Sequence, residues 1–517
     1  MLVKTYCSTV EGIDARTITV EVNLSPGIRF LVVGLPDNAV RESQQRITAA
    51  FANNQLRMPG FNILVNLAPA DMRKVGSHYD LPIAIGILAA SQQVAVEPLS
   101  KFIVIGELSL DGTLLPVKGA LPIAIQARKE GFEGIILPAA NAREAAVVQN
   151  LKVYGVHNLT EVISLLNGES DLQPTTMDTR AEYFAHLDDF DIDFRDVKGQ
   201  AEVKRALEIA AAGGHNVLMI GPPGAGKSML AKRMPTITPP MTLAEALETT
   251  KIHSVAGKLG ENSAGGLLTA RPFRAPHHIT SEVALVGGSV PPQPGEISLA
   301  HNGILFLDEL PEFNRRTLEV LRQPLDEKRI TISRAKYSVD YPANFMLIAA
   351  MNPCPCGYRT HPEKPCTCTP AAQARYLNKI SGPLMDRIDI QVEVIPVAVE
   401  SMTGRREGES SAQIRERVVA ARERQRQRFQ QDGYTQTHCN AMMNPEQMER
   451  YCQLDDESIH LVQEAMVTMG LSGRAYDRIL KVARTIADLA GAEAIGVDHM
   501  AEAIQYRSLD CDTWNHQ

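Results

Sequence analysis

Short runs of alternating apolar and polar residues open the chain. Thr17-Ile-Thr-Val-Glu-Val22 and Phe61-Asn-Ile-Leu-Val-Asn66 repeat every second residue, the period of a strand with one face buried. Asp80 to Ser91 and Ala120 to Arg128 are longer apolar runs. Each has a proline near its start, where a helix tolerates one, and each predicts a helix. Together they predict an α+β unit over residues 1–168. The apolar rhythm then stops. Gly168 to Asp193 carries eight acidic residues and one arginine, which reads as an acidic linker over 169–193. Strand-like and helix-like runs alternate over 194–396, the order that builds a mostly parallel sheet. Glu400 to Ser411 is a polar connector, and 412–507 is helical in period. The expected class is α/β, with an α+β unit before the sheet and a helical unit after it. There is no internal repeat.

Composition changes this picture little. A chain of 517 residues has room for roughly two to four domains, each with its own core. The formal charge of −8 excludes a protein coated in basic surface, but a local basic channel can still hold nucleic acid. No apolar run reaches membrane-spanning length, and Met1-Leu-Val-Lys-Thr-Tyr6 lacks the basic flank and apolar core of a secretory leader. A cytoplasmic protein with no membrane partner is expected. Four of the eight cysteines are clustered, which favours metal binding in a reducing compartment over disulfides. Cys7, Cys439, Cys452 and Cys511 read as unpaired packing residues.

The strongest chemistry lies at Gly221-Pro222-Pro223-Gly224-Ala225-Gly226-Lys227-Ser228. It sits between an apolar run (Val217-Leu-Met-Ile220) and a helix-forming one (Met229-Leu-Ala-Lys-Arg233). A strand, a glycine-rich loop and a helix make a phosphate cradle: loop N–H groups and the helix's positive end face the anion. Lys227 would reach the β- and γ-phosphates of ATP, and Ser228 would ligate Mg²⁺. Downstream, Ile304-Leu-Phe-Leu307 reads as a buried strand ending in Asp308-Glu309. Asp308 suits the Mg²⁺ shell and Glu309 suits the base that activates water. A hydrolase is expected.

Three further stretches resemble the AAA+ ATPases, in particular their magnesium-chelatase and MCM-like branch. Asn352, after Phe345-Met-Leu-Ile-Ala-Ala-Met351, matches the sensor-1 asparagine. Ser381-Gly-Pro-Leu-Met-Asp-Arg387-Ile-Asp389 matches the arginine-finger segment, with Arg387 the finger, and Ser472-Gly-Arg474-Ala-Tyr-Asp-Arg478 the sensor-2 region, with Arg474 sensing nucleotide. The other reading of Arg387 is an ordinary ion pair with Asp386 or Asp389. A finger supplied by a neighbouring subunit makes hydrolysis depend on assembly, and such head-to-tail contacts close into rings or run on as filaments. Lys328-Arg329-Ile-Thr-Ile-Ser-Arg334-Ala-Lys336 matches the presensor-1 hairpin, so Lys328, Arg329, Arg334 and Lys336 are candidate DNA contacts. The alternative is a solvated edge strand that uses charge against aggregation.

Cys354-Pro-Cys356 and Cys366-Thr-Cys368 place four thiols on a short knuckle suited to a structural, tetrahedral Zn²⁺, although C-x-C is tighter than the usual spacing. Arg415, Arg417, Arg422, Arg424, Arg426 and Arg428 fall all around one helix, which reads as a solvated charged helix rather than a nucleic-acid face.

Gly106-Glu-Leu-Ser-Leu-Asp-Gly-Thr-Leu-Leu-Pro116 and Gly131-Phe-Glu-Gly-Ile-Ile-Leu-Pro138 resemble the proteolytic domain of Lon proteases. The positions of that family's Ser and Lys fall near Tyr79 and Leu121, so neither catalytic residue is retained. Ser77, Lys74 and Lys118 are nearby, but no spacing pairs them. An inactive fold is expected. The complete order of Lon-like unit, chelatase-type AAA+ core, cysteine knuckle and helical lid resembles the YifB/ComM competence family. Matching stretches include Leu35-Pro-Asp-Asn-Ala-Val-Arg-Glu-Ser43, Arg271-Pro-Phe-Arg-Ala-Pro-His-His278 and Asn352-Pro-Cys-Pro-Cys-Gly357. The resemblance implies a hexameric helicase that drives branch migration during natural transformation, working on single-stranded or branched DNA with recombination proteins. Two rivals share parts of the chain: a chelatase-type motor that remodels a protein or inserts metal, and an ATP-dependent protease.

Overall fold

The computed structural model describes residues 1–185, 190–259, 266–289, 292–334, 337–396 and 408–509, with the side chains of Arg334 and Tyr337 left out. The N-terminal module is a seven-stranded sheet in the order Phe30–Val33, Asn62–Ala68, Asp14–Ser25, Leu2–Glu11, Phe102–Val104, Gly134–Pro138, Lys152–Val156. Its long hairpin, Leu2–Glu11 with Asp14–Ser25, is antiparallel. The three strands from Phe102 onward add in parallel. Ile18, Val20 and Val22 point inward and their neighbours outward, as the alternation predicts. The two proline-started helices are Asp80–Ala90, buried along its whole length, and Ala120–Lys129. The acidic stretch is not free chain. Thr179–Ala185 is a helix whose Tyr183 is buried and donates its hydroxyl to the Met241 carbonyl, and Leu172 and Met177 pack on the N-terminal core.

The second module is a five-stranded parallel sheet ordered Phe273–Arg274, Ile304–Leu307, Met346–Met351, Val217–Ile220, Ile390–Glu393. The three central strands are almost wholly apolar and buried, which a parallel sheet covered on both faces requires. All strands point the same way, so the loops after residues 220, 307 and 351 emerge together at one edge, where such sheets bind ligands. Five helices follow: Ser411–Gln431, Pro445–Tyr451, Asp456–Met469, Gly473–Ala490 and Val497–Gln505. They share one apolar core with the sheet. The arginine-rich first helix is not simply solvated, a correction to the sequence reading. Arg422 donates to the carbonyls of Ala211 and Ala212 at the end of helix Ala201–Gly213, Arg417 pairs with buried Glu208, and Arg428 pairs with buried Asp488. Arg417 and Arg422 fasten the helical unit to the sheet module, Arg428 braces the unit within itself, and helix-end carbonyls are natural partners for such arginines.

The modules also touch. Helix Leu243–Ala256 lies against Ala120–Lys129, and Ser254 donates to buried Glu144 of the N-terminal module. A Cβ on Gly12, in the first hairpin's turn, would come within 2.9 Å of Val339 in the hairpin Arg329–Arg334/Tyr337–Pro342.

Candidate nucleotide site

The loop Gly221–Ser228 runs from strand Val217–Ile220 into helix Lys227–Ile237. Gly224 and Gly226 lie in the left-handed region at φ +80° and +93°, which side chains resist. Gly221 packs on the Val394 carbonyl and leaves no space for a Cβ. The Lys227 ammonium is buried and donates to the carbonyls of Gly221 (2.6 Å) and Pro222 (3.0 Å) and to Asn352 Oδ1 (3.2 Å). Burial lowers its pKa, and the charges of Asp308 and Glu309 oppose that shift. Ser228 Oγ donates to Asp308 Oδ2 at 2.6 Å. Hydroxyl and carboxylate therefore already stand together, the pair that suits Mg²⁺. Asn352 follows strand Met346–Met351, whose last carbonyl accepts from the Gly221 amide at 3.2 Å. Lys227, Ser228, Asp308, Glu309 and Asn352 thus meet at the carboxyl edge of the sheet.

Glu309 stands at φ +52°, an uncommon conformation for a side-chain-bearing residue, with its carboxylate largely exposed. Its Oε2 is 3.3 Å from Nδ1 of His278, a residue the sequence reading quoted but left without a role. The signal was available. Phe273–Arg274 pairs with Ile304–Leu307 in parallel, so the loop after Arg274 must emerge beside Asp308-Glu309.

Arg387 and Arg474 are elsewhere. Arg387 precedes strand Ile390–Glu393, which pairs in register with Val217–Ile220, so it lies at the amino end of the sheet. The four-residue strand separates it from its own phosphate loop by about 13 Å or more. It is tied to Asp326, with Nε 2.9 Å from Oδ1, and not to the neighbouring aspartates expected of a local ion pair. Arg474, 69% exposed, pairs with Asp386 at 3.3 Å, next to Arg387. Behind them Arg478 donates to buried Asp389 at 2.7 Å. Burial alone would raise the Asp389 carboxyl; the charges of Arg478 and His215 and the Asn216 amide outweigh it and hold the group low.

In the basic hairpin Ile330, Ile332 and Tyr341 are buried, while Arg329 and Ser333 face outward. Lys336 lies outside the described residues, as does the side chain of Arg334. Lys328 does not join the outer row. It ends helix Arg322–Glu327 at φ +56°, half-buried, with Cys439, Asp389, Arg478 and Asp326 as its electrostatic neighbours, and burial lowers its pKa.

The sulfurs of Cys354, Cys356, Cys366 and Cys368 all lie within 4.8 Å of one another. The separations 354–356, 354–366 and 356–366 are 3.4, 3.6 and 3.6 Å. Four thiolates around one Zn²⁺ stand about 3.8 Å apart, so the cluster fits. The amides of Tyr358 and Thr367 push Cys356 down to about 5, while burial pushes the Cys354 thiol up to about 12. Gln373 Nε2 donates to Cys366 Sγ at 3.4 Å, the kind of outer support that ligands use. Cys7, Cys439 and Cys452 are buried free thiols, and Cys511 lies outside the described residues.

An open cleft of about 940 Å³ lies between the two modules, lined by Ser77, His78, Glu107 and Lys118 on the N-terminal side and by Val255, Gln293 and Val339 on the other. Among the described residues no nucleophile is assembled in it. Ser77 Oγ donates to Glu107, the Lys74 ammonium is spent on the carbonyls of Pro69 and Met72, and Tyr79 and Leu121 are wholly buried.

Comparisons with known proteins agree with this layout. Three family models match: one described as magnesium chelatase, subunit ChlI, over residues 193–402; subunit ChlI of Mg-chelatase over 20–141; and the subunit ChlI C-terminal region over 408–507. The chain is 45% identical over 508 residues to the competence protein ComM of Haemophilus influenzae, covering 98% of this chain and 97% of that one. It is 43% identical over 503 residues to YifB of Salmonella typhimurium, covering 96% of both. A shorter similarity, 27% over 172 residues, links 31% of the chain to 20% of the DNA replication licensing factor mcm7 of Schizosaccharomyces pombe. An α/β protein with a parallel P-loop sheet and a helical C-terminal unit, the chain belongs to the YifB/ComM family of magnesium-chelatase-type AAA+ proteins.

Proposed function

We propose that the chain is a ring-forming, ATP-driven DNA motor: a hexameric helicase that promotes branch migration of recombination joints during natural transformation. One observation carries the assembly part. Arg387 and Arg474 sit at the opposite end of the sheet from the loop Gly221–Ser228, so both serve the ATP of the adjoining subunit. The loop amides and Lys227 hold the β- and γ-phosphates. Ser228 and Asp308 would hold Mg²⁺, which supplies charge neutralisation at the phosphates when bound. Glu309 takes the proton from the attacking water as its oxygen bonds to the γ-phosphorus and ADP leaves. Asn352 positions that water or the γ-phosphate, and Arg387 stabilises the charge as it shifts. The four knuckle cysteines hold a structural Zn²⁺. The N-terminal module is a non-proteolytic, Lon-like assembly unit.

The DNA part is supported by the printed name of the competence relative, by the partial similarity to a replication licensing factor, and by exposed Arg329 on the hairpin. Arg329, Arg334 and Lys336 contact the phosphate backbone in this reading. Lys328 does not, since it is turned into the protein. The family descriptions favour one second reading, a chelatase-type motor acting on a protein or a metal. The test is ATP turnover with and without forked or three-stranded DNA, alongside mass measurement with and without nucleotide. Turnover is expected to rise with branched DNA. The Arg329→Ala/Arg334→Ala double variant should keep basal turnover and lose that rise. A rate indifferent to every nucleic acid selects the chelatase reading, and a chain that stays single with ATP and DNA both present overturns the ring.

A further inference from the structure

We propose that the cysteine knuckle clamps the nucleotide loop from outside, with Gly357 and Tyr376 as the positioning residues through which bound zinc sets ATP affinity and turnover. This rests on reading the knuckle as a zinc site and the loop as an ATP site. It does not depend on DNA.

Both arms of the knuckle end on the site. On the first arm, Asn352 is two residues before Cys354, and its Oδ1 accepts from Lys227. The chain then turns, the Gly357 amide donating to the Cys354 carbonyl at 2.9 Å. Gly357 takes φ +84° and lies flat on Pro223, inside the phosphate loop. A Cβ there would come within 2.6 Å of Pro223 Cδ and 3.8 Å of Asn352 Cγ. A bare glycine is needed twice over, for its backbone and for the close approach. On the second arm, Cys368 is followed at once by the capping Thr369 and helix Pro370–Leu377. That helix delivers Tyr376, 8% exposed and buried in one cluster with Met351, with Glu312, Asn352, Cys354 and Glu309 as its electrostatic neighbours. Both contacts therefore converge on the loop and on Asn352. A metal that gathers four thiolates fixes the two arms relative to each other. Without a cation the four thiols take up protons, no bond then ties the two arms together, and the arms are free to part. Pro223 and Asn352 would then lose their outer support, and the amide cradle would widen.

The test uses the full chain without DNA and reads zinc content together with binding of a fluorescent ATP analogue. The native chain is expected to hold one zinc per protomer. Stripping it with a mercurial thiol reagent and chelator, then reloading after reduction, should weaken nucleotide binding about 10-fold and restore it, the scale seen when outer supports of a metal site are lost. Gly357→Ala should keep its zinc yet bind the analogue roughly 10-fold more weakly, because the methyl displaces Pro223. Tyr376→Phe, a milder change, should keep zinc and affinity and lower kcat by about 3- to 10-fold at unchanged KM, since it removes a polar neighbour of Asn352 without moving the cradle. Equal affinities of zinc-loaded and zinc-stripped chains overturn the clamp, as does native affinity in zinc-loaded Gly357→Ala or native kcat in Tyr376→Phe. Failure of the DNA-motor reading appears elsewhere, in the response of turnover to DNA.

Discussion

The carboxyl edge of the parallel sheet and the N-terminal wall of the cleft between the modules gather similar side chains: a lysine, a serine and carboxylates. At the sheet edge they converge. Lys227 reaches Asn352, and Ser228 reaches Asp308, across separations of 125 and 80 residues. In the cleft they are consumed locally. Lys74 bonds carbonyls within five residues, Ser77 bonds Glu107, and no lysine is bonded to the serine. Residue content does not separate the two regions. Parallel strands that end together force their loops to one place, whereas a cleft between two modules gathers side chains without aiming them.

The largest effect expected from this contrast is on ATP turnover. Lys227→Ala should lower it by about 10²–10³-fold or more, as loss of a phosphate-stabilising cation does. Ser77→Ala should leave it unchanged, and the native chain should not degrade casein. Casein cleavage that disappears in Ser77→Ala would erase the distinction between the two regions.

Next in size is the finger. Arg387→Ala alone is expected to cost roughly 10³-fold in hydrolysis. Mixed with the Lys227→Ala chain it should regain part of the turnover, because up to half of the interfaces can then pair an intact loop from one chain with an intact arginine from the other. A steady-state ATPase assay across mixing ratios reads this directly. No recovery at any ratio would place the arginine's action within its own subunit, against the geometry of the strand that separates them.

How much of this was legible follows the same division. The strands, the phosphate loop and Asp308-Glu309 were readable because period and local spacing determine them. Asn352 and the cysteine cluster were likewise carried by short stretches. The partners of those groups were not. His278 against Glu309, Asp326 on Arg387 and Gly357 on Pro223 depend on strand order and on loops meeting from distant parts of the chain. Lys328 misled because alternation along a hairpin assigns faces only inside the strand, and Lys328 belongs to the preceding helix end. The arginine helix misled because charge all around a helix looks solvated until the carbonyls of Ala211 and Ala212 are seen beneath it. The acidic stretch hid Tyr183, one aromatic anchor among charges.

The smallest and sharpest comparison sets one buried carboxylate in each module against the other. Asp389 faces Arg478 and the Asn216 amide, so its folded carboxyl titrates below the ordinary value. Its stabilisation is complete above about pH 4 and is lost as pH falls through the folded value. Asp389→Asn strands Arg478 and should cost about 3 kcal/mol, a gap constant from pH 5 to 8 that closes only in acid. Glu144 is the reverse. Burial raises its carboxyl, and the hydrogen bonds from Ser254, the Leu121 amide and Asn141 only partly offset that. The folded chain then holds this proton to higher pH than the unfolded chain does, so stability declines as pH rises from about 4.3 through the folded value. Glu144→Gln retains an acceptor oxygen but cannot ionise. It should cost about 1 kcal/mol at pH 5, and less at pH 8, where the native carboxylate bears its own burial cost. Urea unfolding of both variants at the two pH values measures this. A Glu144→Gln gap that widens with pH would mean that the carboxylate latching the N-terminal module to helix Leu243–Ala256 is stabilised by charge, as Asp389 is, and the two modules would no longer differ in how they bury an acid.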